Sequence, residues 1–88
     1  MEEQLAQKAK NVASNIRKLR EFRDYTQDYL ASKLNISQNA YSKLELGYCK
    51  ISLERLYAIA DILQVDPVHI LTLEHTELIK IDLPNQNL

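Results

Sequence analysis

Among its 88 residues this chain has one glycine, Gly47, and two prolines, Pro67 and Pro84, so it has few places to turn sharply. Glycine and proline punctuate strands and tight hairpins. Their scarcity, beside many Leu, Ala, Lys and Glu, argues for helices joined by short loops. A chain of this length is one domain by the usual prior and can bury a core without metal or disulfides. The single cysteine, Cys49, excludes an internal disulfide and fits a reducing compartment. The apolar runs are far too short to span a bilayer, and the start, Met1-Glu2-Glu3-Gln4, lacks a signal peptide's charged-then-apolar plan. The expectation is a soluble cytoplasmic protein with no membrane contact.

Apolar spacing and capping residues divide the chain into five helices. Leu5, Ala9, Val12, Ile16 and Leu19 step by four, three, four and three, which predicts a helix from Glu3 to Arg23, with a fray or break near Ser14. Thr26 is a good N-cap for a second helix, with Asp28 where the dipole favours an acid and Leu30, Ala31 and Leu34 on its buried side. Asn35 stops it, because after glycine Asn best tolerates the left-handed conformation. Ser37 caps a third helix with Ala40, Tyr41 and Leu44 as its apolar positions, ended by Gly47. Ser52 caps a fourth carrying Leu53, Leu56, Tyr57, Ile59, Ala60 and Leu63. Asp66-Pro67, a cap followed by proline at the first helical position, opens a short fifth helix through Leu71. Beyond it, Ile79, Ile81 and Leu83 alternate with Lys80 and Asp82. That pattern reads as a strand needing a partner, such as the same segment of a second subunit, or else as continued helix.

Charge is unevenly spread. Residues 1–50 carry nine Lys/Arg and six Asp/Glu, whereas residues 51–88 carry two and six. A net charge of −1 therefore conceals a basic first half and an acidic second half. Local charge matters more than the total at the short screening length of cell salt.

The stretch "SKLNISQNAYSKLELG" joins the second and third helices through Leu34-Asn35-Ile36-Ser37. Two short helices linked this way make a helix-turn-helix. Ala31 allows close crossing, and Ile36, Tyr41 and Leu44 face the core. Gln38, Asn39, Ser42 and Lys43 then point outward, from positions that enter the major groove in this motif. Gln and Asn can pair bidentately with adenine, and Lys can reach guanine.

From about Asn15 to Leu71 the chain resembles the Cro/repressor (XRE) family of helix-turn-helix DNA-binding domains. The most specific pieces are "IRKLR", "TQDYLASKL", "ISQNAYSKLELG" and "SLERLYAIADIL". The resemblance implies an all-α, five-helix, repressor-like domain over residues 15–72. The resemblance does not explain the flanks: the residue pattern reads 1–14 as an N-terminal helical extension and 73–88 as a short tail, strand or helix, and a dimerisation candidate. It further implies that Gln38, Asn39 and Lys43 touch bases, that Ser42 makes a base or backbone contact, and that Gln27 binds a phosphate while buttressing the first recognition residue. Arg20 and Glu45 match a pair bridging the first and third helices. Asn35 replaces the usual Gly. Tyr41 replaces a usual Ile or Val, so either the core makes room for it or its hydroxyl reaches the surface.

Arg17, Lys18, Arg23, Lys33 and Lys50 are further candidate phosphate contacts, with Lys33 and Lys50 favoured. His69 and His75 have no partners at metal-site spacing, Cys49 has no histidine partner in sequence, and no glycine-rich phosphate loop exists. No cofactor, metal or catalytic activity is expected. The functional expectation is sequence-specific binding to double-stranded DNA by a transcriptional regulator, a repressor acting as a homodimer through Ile79, Ile81 and Leu83. The alternative is a protein-interaction module or an antitoxin that neutralises a partner toxin.

Overall fold

The computed structural model describes residues 1–73. They form five helices: α1 Glu2–Phe22, α2 Gln27–Leu34, α3 Gln38–Glu45, α4 Leu53–Leu63 and α5 Pro67–Thr72. The segment from 74 to 88, with its strand reading and with Ile79, Ile81 and Leu83, lies outside the described residues. Helix α1 runs through Ser14 without a break.

Four of the five helices begin on a side-chain cap. Thr26, Ser37, Ser52 and Asp66 each accept a hydrogen bond from a backbone N–H in the first turn. This satisfies donors that a helix start leaves without intrahelical partners.

The helix ends need left-handed residues at four places, and one glycine cannot supply them all. Asp24, Asn35 and Gln64 adopt φ near 60°, and Gly47 adopts φ of 80°. In each case the next N–H closes back five residues: Tyr25 to Arg20, Ile36 to Ala31, Tyr48 to Lys43 and Val65 to Ala60. These closures satisfy late carbonyls and commonly bring an apolar contact with them. Tyr25, Ile36 and Val65 pack against the core, whereas Tyr48 remains exposed. At Gly47 an added Cβ would lie 3.4 Å from the Lys10 Cγ, so glycine also permits close approach of α1.

The core gathers Ile16 and Leu19 of α1, Leu30 and Ala31 of α2, Tyr41 and Leu44 of α3, Leu56, Ile59, Ala60 and Leu63 of α4, and Ile70 of α5. Each large aliphatic side chain removed from water contributes about 1.5–3 kcal/mol before ordering costs. Helix α1 packs against α3, α4 and α5, while α2 packs against α3 and α4.

Long-range polar bonds lock the helix ends. Asn15, buried, donates its side-chain amide to the Ile70 carbonyl at 2.9 Å. Arg23 donates to the Leu63 carbonyl at 2.8 Å and the Gln64 carbonyl at 3.2 Å, and Arg55 reaches the Leu34 carbonyl at 3.4 Å. These side chains give late-helix carbonyls the donors they lack within the helix.

Some positions that the periodicity assigned to the core are exposed. Ala40 is exposed because the buried stripe of α3 runs through Tyr41, Leu44 and Glu45, leaving position 40 at its edge. Leu53 and Tyr57 of α4 are also exposed, as are all residues of α1 up to Asn11, including Leu5 and Ala9. Ala9 and Leu53 border an open groove rather than a packed contact.

Candidate nucleic-acid interface

Helix α3 starts where Asn35 turns the chain out of α2 and Ser37 caps the new helix, its Oγ accepting from the Ala40 N–H at 3.0 Å. Gln38 and Asn39, the first two helical residues, are exposed, as is Lys43 one turn further on. Ser42 is half-buried. The opposite side of α3 goes into the core through Tyr41, at 0% exposure, and Leu44, at 4%. The motif's outward positions thus share one end and one side of a helix whose other side is fixed.

What fixes it is an ion pair. Arg20 Nε donates to Glu45 Oε2 at 2.6 Å, and an Arg20 terminal nitrogen donates to Oε1 at 3.1 Å. The side chains are 10% and 2% exposed. Such a two-pronged, charge-assisted contact is directional as well as strong. The other Arg20 terminal nitrogen donates to the Tyr25 carbonyl at 2.8 Å, tying α1 to the turn before α2. Gln27, the first residue of α2 and half-buried, donates its amide to Glu45 Oε1 at 3.1 Å. Three helices therefore meet on one carboxylate.

Burial pushes the Glu45 carboxyl upward, but the donors gathered round it, Arg20 first, outweigh that and hold it below its ordinary value. Hydrogen bonding to Glu45 correspondingly raises the Arg20 guanidinium above its ordinary value. The Tyr41 hydroxyl is buried here without a hydrogen-bond partner among the described residues. Burial pushes its phenol far above the ordinary value. The Glu45 carboxylate, which lies close enough to interact with the hydroxyl although not in hydrogen-bond geometry, adds to the rise by that polar contact and then by its charge. The core makes room for Tyr41; its hydroxyl does not reach the surface.

The candidate phosphate contacts are scattered in their engagements. Lys33 is exposed, with its ammonium 5.6 Å from the Tyr29 ring centre, and Lys50 is exposed on the connection between α3 and α4. Arg17 pairs with Glu21 on α1 at 3.2 Å, and Arg23 is engaged with the end of α4. Arg23 sits between two helices in a role that its sequence position does not reveal.

Among the described residues no group of three or more His, Cys, Asp and Glu could hold a metal ion, and no helix is long and apolar enough to cross a membrane. No curated protein and no solved structure matches the chain. A family model described as helix-turn-helix matches residues 16–70, more than half of the chain. Over that span an α2–turn–α3 unit is packed on α1 and α4, and the chain belongs to the XRE-type helix-turn-helix family of DNA-binding regulatory domains.

Proposed function

We propose that the protein is a transcriptional repressor that binds double-stranded DNA sequence-specifically, as a homodimer, with the front of α3 in the major groove. The observation that carries this reading is the exposure of Gln38, Asn39 and Lys43 at the start of a helix whose opposite side is clamped by Arg20 and Glu45. A base-reading side chain gives discrimination only if its backbone is held still, because a good bidentate contact is worth about 1–3 kcal/mol and depends on geometry.

In this reading Gln38 and Asn39 pair with base edges, while Ser42 and Lys43 supply a further base or backbone contact. Gln27, Lys33 and Lys50 hold phosphates and thereby set the register, which carries no sequence information by itself. Two copies about a two-fold axis read half-sites about 34–36 Å apart. The acidic residues of the second half then sit away from the DNA.

The test is a titration of the protein against DNA from its own promoter region and against unrelated DNA, at several salt concentrations, beside the Gln38→Ala/Asn39→Ala variant. The reading requires selective binding that weakens with salt, with selectivity lost in the variant. The salt slope, about 0.9 for each phosphate contact, should be the same in parent and variant, because neither replaced residue holds a phosphate in this reading. Equal binding to both DNAs by parent and variant, repeated on a selected random-sequence pool, would sink it.

A further inference from the structure

The apolar stripe of α1 begins at Leu5, yet the described residues cover it only from Val12 onward. Beside the uncovered part lies a groove of about 480 Å³, between α1 and the connection from α3 to α4. Its walls are mainly apolar, with Ala6 and Ala9 on one side, Ile51 and Leu53 on the other, and Leu71 at one end. That volume falls in the roughly 300–1,000 Å³ range of grooves that bury an apolar ligand. Lys10 and Lys50 also line it, and neither has an ion-pair partner among the described residues.

We propose that this groove is filled by the chain's own segment Leu78–Leu83. Leu71 lines the groove and Leu73 is buried at 7% exposure, so the chain leaves the described part of the molecule next to the groove. Four residues lie between Leu73 and Leu78, and the five steps reach up to about 16–18 Å when extended. The segment offers Leu78, Ile79, Ile81 and Leu83 as apolar groups for the apolar walls. Lys80 and Asp82 balance within the segment, and Glu74 and Glu77 in the tether just before it add the negative charge that complements Lys10 and Lys50. A tether this short presents its segment at a local concentration of about millimolar, which favours the same chain over a second copy. Ile79, Ile81 and Leu83 then serve as an intramolecular cover, and dimer formation falls to another surface.

Cys49 lines the groove, is exposed, and is the chain's only cysteine, which makes it a built-in reporter. The experiment uses the full chain with Ile79→Cys, Ile81→Cys or Lys80→Cys, and follows disulfide formation with Cys49 under mild oxidation by non-reducing mass analysis. Docking predicts an intrachain bond that forms about tenfold or more faster from position 79 or 81 than from 80, as seating of one face of the segment requires. A second substitution, Leu53→Glu, slows it; Leu53 is 65% exposed, so this change leaves the fold intact. Equal rates at all three positions that ignore Leu53→Glu would mean an undocked tether and overturn the proposal. Predominantly interchain disulfides would overturn it in favour of a second copy. No DNA enters the experiment, so its outcome is independent of the repressor reading.

Discussion

The two faces of α3 make opposite demands on their residues. One face carries Tyr41, Leu44 and Glu45, each no more than 6% exposed, and its value lies in being fixed. The other carries Gln38, Asn39 and Lys43, all exposed. The contrast is a division along eight residues: one side is held by burial and by the ion pair, and the other is left exposed, as the proposed base-reading role requires. Substitutions on the two faces should therefore move different measurements.

The largest effect is expected from Arg20→Ala. It leaves Glu45 buried without its charge partner, which costs about 3–5 kcal/mol, a large fraction of the stability of a small domain. Chemical denaturation reads this directly. Replacing both partners with apolar residues, Arg20→Met and Glu45→Leu, should recover most of that loss, because a buried pair contributes little beyond apolar packing. If the double variant is as unstable as Arg20→Ala alone, the pair contributes more than this account allows.

Acid should expose the same pair. The Glu45 carboxyl is held below its ordinary value near 4.5 in the folded chain. The stability that this contributes is fully present above that ordinary value and is lost as pH falls through the lower, folded value. The parent is therefore expected to lose more stability than Glu45→Gln over that acid range, and their difference should narrow as pH drops. A gap that stays constant with pH would contradict the assignment.

Across the helix, Gln38→Ala/Asn39→Ala should change stability by no more than about 0.5 kcal/mol, because exposed residues away from caps and cores rarely do more. The same variant is expected to lose about 1–3 kcal/mol of discrimination per base contact. A thermal melt beside a DNA titration separates the two, and a variant that melts early would break the comparison between the faces.

The smallest effect concerns Tyr41. Its hydroxyl is buried with no hydrogen-bond partner among the described residues, so Tyr41→Phe removes a group whose unsatisfied burial is costly. Stability should rise by up to about 1 kcal/mol, with DNA binding unchanged. A loss of stability would show that the hydroxyl is bonded to the Arg20–Glu45 cluster.

Much of this was legible in sequence because its causes are local. Thr26, Ser37, Ser52 and Asp66 announce helix starts through hydrogen bonds that span two or three residues. Asn35 announces a helix end through its own backbone preference. Repeated spacing of apolar residues requires no knowledge of what covers them, and for that reason it overstates burial at Leu5, Ala9, Leu53 and Tyr57.

The amino-acid sequence by itself determined that five helices form, where four of them begin and two of them stop, and that polar residues cluster at the start of the third. Only the tertiary structure decided which side chains meet across long separations: Asn15 with the Ile70 carbonyl, Arg23 with the end of α4, Gln27 with Glu45. Helix period and capping act within a turn or two of chain. A bond across 55 residues exists only once packing has brought α1 and α5 together, and no short-range preference encodes it.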